Sequence, residues 1–145
     1  MSRGNVEIAR RYWGELHELE QIPEWIARFW ENDGDYYPVR GFPEARPCHG
    51  HEEIIAFLTE FRDAWDRYSF EVKDARAVGD DRVLVHIRLK AEGRSSGAKL
   101  EGDIYHCCWL RHGRFIRVED HLSPRGAIHA LGLSDETLET AESLD

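Results

Sequence analysis

The stretch HCCWLRHGRFIRVEDHLSP, residues 106–124, decides how the second half of the chain is read. His112-Gly113 divides it into two runs rich in β-forming residues, and glycine accepts the positive φ that a two-residue hairpin demands. The second run begins with Phe115, Ile116 and Val118, as a core strand should, and finishes on Glu119, Asp120 and His121. Ser123-Pro124 follows, a serine cap and a proline suited to the first turn of a helix. A strand that fills a core and then ends in three ionisable residues is either a solvated strand end or the carrier of a carboxylate into a pocket.

Upstream of the hairpin the side-chain period is 2. Tyr68 to Ala77 reads as a strand, Gly79-Asp80-Asp81 as a turn, and Arg82 to Glu92 as a strand with Val83, Val85, Ile87 and Leu89 alternating. Gly93 to Gly97 is a loop, and Ala98 to Arg111 is a long strand leading into the hairpin. Further back the period is 3.6. A first helix runs from a cap at Asn5 to about Leu19, with Val6, Ala9, Tyr12 or Trp13, and Leu16 on its apolar side. A second starts at Pro23, buries Trp25, Ile26, Phe29 and Trp30, and ends at Gly34. Asp35 to Val39 is a short strand. A third helix spans about His51 to Trp65. Three helices, a short strand, a four-stranded antiparallel meander and a terminal helix make an α+β chain.

The chain has 145 residues, one domain's length, divided here into a domain of residues 1–133 and an acidic, flexible tail of residues 134–145. Net charge is −9, and the tail supplies five of those charges through Asp135, Glu136, Glu139, Glu142 and Asp145. The body carries 19 basic against 23 acidic residues, which gives a nucleic acid no basic footprint. No apolar run reaches the roughly 20 residues of a membrane span, and the start MSRGNVEIARRYW lacks a signal-peptide core. A cytoplasmic protein is expected. The three cysteines, Cys48, Cys107 and Cys108, are an odd number, and reduced thiols packed as small apolar groups fit best.

Three segments carry a resemblance to a known family: NVEIARRYW (5–13), GHEEIIAFLTEFRDAW (50–65), and HCCWLRHGRFIRVEDHL with SPRGAIHALGL (106–133). In this order they resemble the SnoaL-like branch of the nuclear-transport-factor-2-like superfamily, across the chain up to Leu133. The resemblance implies a cone: a curved mixed or antiparallel sheet wrapped around three N-terminal helices, with a short C-terminal helix and a pocket at the wide end. It also implies a homodimer. The fold hosts isomerases, dehydratases, cyclases, hydrolases and binding proteins, so it does not fix the activity.

With an unbroken register back from the hairpin, Tyr105 faces Asp120, and Asp103, Tyr105, Cys107 and Trp109 share a face with Ile116, Val118 and Asp120. His106 and His121 fall on the other face, where a dimer interface is a candidate. Both faces hold apolar residues, and a one-residue bulge exchanges them. RVEDHLS is similar to the aspartate-bearing strand of limonene-epoxide-hydrolase-like members, which implies that Asp120 points inward. The strand KLEGDIYH departs from that pattern, with no arginine two residues before Asp103.

The candidate catalytic residues are therefore Asp120, Asp103 and Tyr105, with carboxylates raised by an apolar pocket for acid–base work. The opposing reading has Asp120 capping the last helix or pairing with Arg117 or Arg125. Tyr12, Trp13, Tyr37, Phe57, Phe61, Trp109 and Val118 are the candidate substrate-binding set, which favours a small, mostly apolar ligand. CHGHEE (48–53) lacks the spacing of a zinc site, so neither metal nor organic cofactor is expected. The reading is an isomerase, hydrolase, dehydratase or cyclase using pocket carboxylates, against a non-catalytic binding domain or a dimeric assembly module.

Overall fold

In the computed structural model, the residues described are 2–14, 21–40, 45–93, 97 and 99–132. The element order is α1 (Ser2–Gly14), α2 (Ile22–Phe29), β1 (Trp30–Tyr37), β2 (Cys48–His49), α3 (Gly50–Ala64), β3 (Trp65–Val78), β4 (Arg82–Gly93), β5 (Lys99–Arg111), β6 (Arg114–His121) and α4 (Pro124–Ala130). The α+β reading holds. The far end of the first predicted helix and the acidic tail lie outside the described residues.

The six strands form one open sheet in the order β2-β1-β6-β5-β4-β3. β3 to β6 are the predicted antiparallel meander, while β1 joins the far side of β6 in parallel. The turn between β5 and β6 has positive φ at both His112 (54°) and Gly113 (77°), the conformation that matches the twist of a tight hairpin.

One sheet face supplies most of the core. Val83, Val85, Ile87, Leu89 and Ala91 of β4 are buried there beside Ile104, Cys108 and Leu110 of β5. The helices cover this face. α1 contributes Ala9, Tyr12 and Trp13; α2 contributes Ile22, Trp25, Ile26 and Phe29; α3 contributes Ile54, Phe57, Leu58 and Phe61. Tyr12 is the hub of an aromatic cluster: Trp25 stacks on it at 4.1 Å, Phe29 and Phe115 meet it edge-on, and Trp30 Nε1 donates to its hydroxyl at 3.1 Å. Such pairs add to plain area burial. On the opposite sheet face α4 seals a smaller cluster, Cys107 with Ala127 and Leu131.

Two local expectations change. Asn5 is not a helix cap; it lies inside α1, and its side-chain amide donates to the Asp80 carbonyl in the β3–β4 turn at 3.0 Å. Gly34 does not end the second helix. The chain turns extended already at Trp30, and Gly34 lies inside β1, where an added Cβ would stand 2.5 Å from the Trp30 ring. The glycine is there for close approach, not for a turn.

The register of β5 against β6 is the finding that positions the site. Arg111 pairs with Arg114 and Leu110 with Phe115, as counted from the hairpin, but Trp109 pairs with Arg117. Ile116 is an extra residue on β6, a β-bulge. Beyond it every pairing shifts by one: Cys108 with Val118, Cys107 with Glu119, His106 with Asp120 and Tyr105 with His121. The unbroken register is therefore corrected. Asp120 shares the core face with His106 and Cys108, while Asp103, Tyr105 and Trp109 take the other side.

Candidate functional site

The site is built where β5, β6 and β1 lie side by side. β6 delivers Asp120 to the core face, two residues beyond Val118, which pairs with Tyr36 of β1. Tyr36 Oη donates to Asp120 Oδ2 at 2.6 Å. His106 Nδ1 makes a close hydrogen bond to Asp120 Oδ1. The two side chains of the Asp120–His106 pair are 1% and 3% exposed, so both carboxylate oxygens are engaged away from bulk solvent.

The indole of Trp13 lies flat on the His106 ring, with centroids 3.7 Å apart and planes at 15°. His106 Nε2 is buried and has no hydrogen-bond partner. An orphaned buried nitrogen is costly unless a ligand or water serves it.

This polar centre adjoins a small cavity of about 30 Å³. Tyr12 and Trp13 of α1, Phe57, Leu58 and Phe61 of α3, Phe70 of β3, Ile104 of β5 and Tyr36 wall it, with His106 and Asp120. A second space opens on the other side of Asp120, a broad cleft of about 720 Å³ between Tyr37–Arg40, Ala45–Pro47 and Glu119–Leu122. Asp120 lines both.

The electrostatics of the site follow from burial. The Tyr36 hydroxyl is pushed well above its ordinary range, first by desolvation and then by the adjoining Asp120, so it stays protonated and donates. Burial likewise raises Tyr12, and the Trp30 hydrogen bond opposes that shift without cancelling it. The thiols are inert: desolvation raises Cys48 to about 11 and holds Cys107 and Cys108 higher still. All three cysteines are free and buried.

Of the predicted catalytic residues, the structure brings Asp120 alone to the cavity. It does not cap α4, a role taken by Ser123, which accepts from Gly126 N. Nor does it pair with Arg117, which binds Glu119 at 2.7 Å. Asp103 does not reach the pocket. It lies on the outer face and accepts from His86 Nε2 at 2.9 Å and from Arg88 Nη1 at 3.0 Å, contacts that lower its pKa, His86 first. Tyr105 is beside it, stacked on His86 at 4.6 Å. The physical reason is the Ile116 bulge, which exchanged the two faces of β5 relative to Asp120.

Among the predicted binding residues, Tyr12, Trp13, Phe57 and Phe61 line the cavity. Tyr37 faces away from it, under the Arg117 guanidinium at 4.6 Å, and borders the outer cleft. Trp109 is on the outer face, also against Arg117, and Val118 is solid core. His106 was expected on the outer face with His121; it is the buried partner of Asp120. Tyr36 also went unselected. For His106 the signal was polarity at an apolar position, readable only once the β6 bulge is known; Tyr36 was hidden by the irregular stretch of β1 between Trp30 and Asp35.

Among the described residues no three His, Cys, Asp or Glu side chains form a metal-ligand group. In the CHGHEE segment His49 Nδ1 meets Asp35 Oδ1 at 2.6 Å, and His51 Nε2 meets the Trp30 carbonyl at 2.9 Å, so both histidines have structural partners. No described helix is long and apolar enough to cross a membrane.

Residues 23–118, more than half the chain, match the SnoaL-like domain family. The chain belongs to the SnoaL-like family. The family match spans β1, α3 and β5 and stops at Val118, two residues short of the carboxylate. Solved structures agree on the fold. A nuclear-transport-factor-2-like protein of unknown function from Burkholderia pseudomallei aligns with a TM-score of 0.71 at 18% identity, covering 87% of this chain and 95% of that one. A candidate SnoaL-like polyketide cyclase from a Jannaschia species aligns with a TM-score of 0.71 at 18% identity, covering 89% and 92%. A protein of ketosteroid-isomerase-like fold from Catenulispora acidiphila, in complex with trimethylamine, aligns with a TM-score of 0.67 at 15% identity, covering 90% and 95%. At such identities the likeness is one of fold. No curated protein matches the chain.

Proposed function

We propose that this SnoaL-like chain is a cofactor-independent enzyme that moves a proton on a small, mostly apolar molecule, as an isomerase, hydrolase, dehydratase or cyclase does. The observation that carries the reading is the burial of an ionisable pair, Asp120 and His106, against a cavity otherwise walled by aromatic and aliphatic side chains. A pair kept only for stability is a poor use of a core position, because apolar residues of similar volume usually do as well or better. A buried acid–base pair beside a cavity is instead what proton transfer requires. The cavity as it stands admits a water-sized guest, so a larger substrate enters by displacing wall side chains such as Phe61 and Phe70.

The reading is tested by exchange of α-protons for deuterium. A panel of small enolisable ketones of graded size is incubated with the protein in D₂O and followed by NMR. General acid–base catalysis is worth roughly 10²–10⁴-fold, so at least one ketone should exchange faster with the wild type than with Asp120→Asn by about that factor. Ketones that bind without any acceleration would instead make this a binding domain for a hydrophobic ligand.

A further inference from the structure

We infer that the broad cleft at the ends of β1 and β6 is a second binding site, and that it takes a small amphipathic anion, a carboxylate carried on an apolar body. The inference does not rest on the acid–base reading above, and it concerns a different space from the cavity of about 30 Å³. At about 720 Å³ the cleft falls within the range of small-molecule sites, roughly 300–1,000 Å³.

The sign of the ligand follows from which charges in the walls already have partners. The acids stand on the β6 side. Asp120 is tied to Tyr36 and His106 with its side chain 1% exposed, so it offers the cleft no open charge. Glu119 accepts from Arg117 Nε at 2.7 Å, and His121 Nε2 stands 3.6 Å from its other oxygen. The bases stand on the side of β1 and β2. Arg40 is exposed at the rim. Arg46 meets Glu60 at 2.8 Å, but those side chains are 39% and 47% exposed, and an ion pair in water is readily shared with an incoming anion. The two guanidiniums therefore set the sign of the cleft. Their forked N–H groups match the two oxygens of a carboxylate. A cationic ligand would find both acids engaged.

The rest of the lining is apolar and stiff. Pro38 and Pro47 belong to the basic side, and their rings fix the backbone there. Tyr37 is held under the Arg117 guanidinium at 4.6 Å. Across the cleft Leu122 is 65% exposed, a large apolar side chain left in water at the rim. An apolar ligand body laid on Leu122 removes that surface from water, and walls that are already rigid lose little freedom on binding.

The test is an amide chemical-shift titration of the ¹⁵N-labelled full chain with 4-phenylbutyrate, set against its neutral amide and the corresponding amine. The expected result is saturable binding of the carboxylate, with shifts at Tyr37, Val39, Arg40, Ala45 and Glu119 to Leu122. The carboxylate should bind about tenfold more tightly than the amide, and that margin should shrink in high salt. Arg40→Gln should abolish most of the margin. Leu122→Ser should weaken carboxylate and amide alike by a few-fold. Both residues are exposed and outside the Asp120–His106 pair, and unchanged β4 and β5 resonances serve as the check on folding. Equal or tighter binding of the amide or amine overturns the anion assignment, as does an undiminished margin in Arg40→Gln. Shifts confined to Phe57, Phe61, Phe70 and Ile104 would place the ligand in the small cavity and overturn the cleft site. No saturable binding of the carboxylate overturns it too. None of these results bears on the ketone exchange that tests the acid–base reading.

Discussion

Among the described residues three aspartate–histidine contacts join neighbouring strands, and the two that involve β5 differ in nearly everything but chemistry. On the core face His106 and Asp120 are 3% and 1% exposed, with Tyr36 completing the carboxylate's hydrogen bonds. On the outer face His86 and Asp103 are 19% and 41% exposed, with Arg88 as a further partner. Asp103 and His106 stand three residues apart on β5. Water screens the outer pair and lets each partner be replaced by solvent. Burial leaves the inner pair mutually dependent, because neither partner has water to fall back on. Residue type alone therefore does not mark a site; the face it lands on does.

Removing the inner carboxylate should have the largest effect. Asp120→Ala leaves the His106 nitrogen and the Tyr36 hydroxyl buried without an acceptor, and urea unfolding should show a loss of about 3–5 kcal/mol. Tyr36→Phe keeps the ring and removes one hydrogen bond to the carboxylate, so the same measurement should show about 1.5–3 kcal/mol.

The tyrosines also set an alkaline limit. Tyr36 and Tyr12 have folded pKa values raised above the unfolded value of about 10, so the folded state holds protons that the unfolded state releases. Their contribution is complete below pH of about 10 and falls away as pH rises beyond it. A series of melts should show that decline, and it should be shallower in Tyr36→Phe.

The outer pair should give the smallest response. Asp103→Asn is expected to cost under about 1 kcal/mol, with the loss shrinking in high salt. Its pKa is lowered, chiefly by His86, so its contribution is present above the unfolded value of about 4 and disappears as pH falls below that. A cost for Asp103→Asn as large as that for Asp120→Ala would break the contrast between the faces.

Much of the fold was legible in the sequence because it rests on local signals. The period-2 runs of β4 and β5, the His112-Gly113 turn and the Ser123-Pro124 helix start each announce themselves within a few residues. The inward aspect of Asp120 was legible too, by resemblance rather than by alternation. Its partners were not. A single bulged residue, Ile116, reverses which side chains of β5 accompany Asp120, and nothing in RFIRVED distinguishes a bulge at Ile116 from an unbroken strand. Asp103 and Tyr105 were thus paired with the wrong face, and His106 was assigned to the surface. Tyr36 was obscured by the irregular stretch between Trp30 and Asp35, which breaks the alternation that would have picked it over Tyr37.

The most direct measurement of the central claim is a double-mutant cycle between residues 106 and 120, using His106→Phe, Asp120→Leu and the double variant in urea unfolding. If the two side chains form one buried unit, each single change strands a polar partner. The double change should recover part of the loss, with a coupling of about 1.5 kcal/mol or more. Additive effects within about 0.5 kcal/mol would mean that the two side chains do not meet inside the core, and would contradict the register on which the site is built.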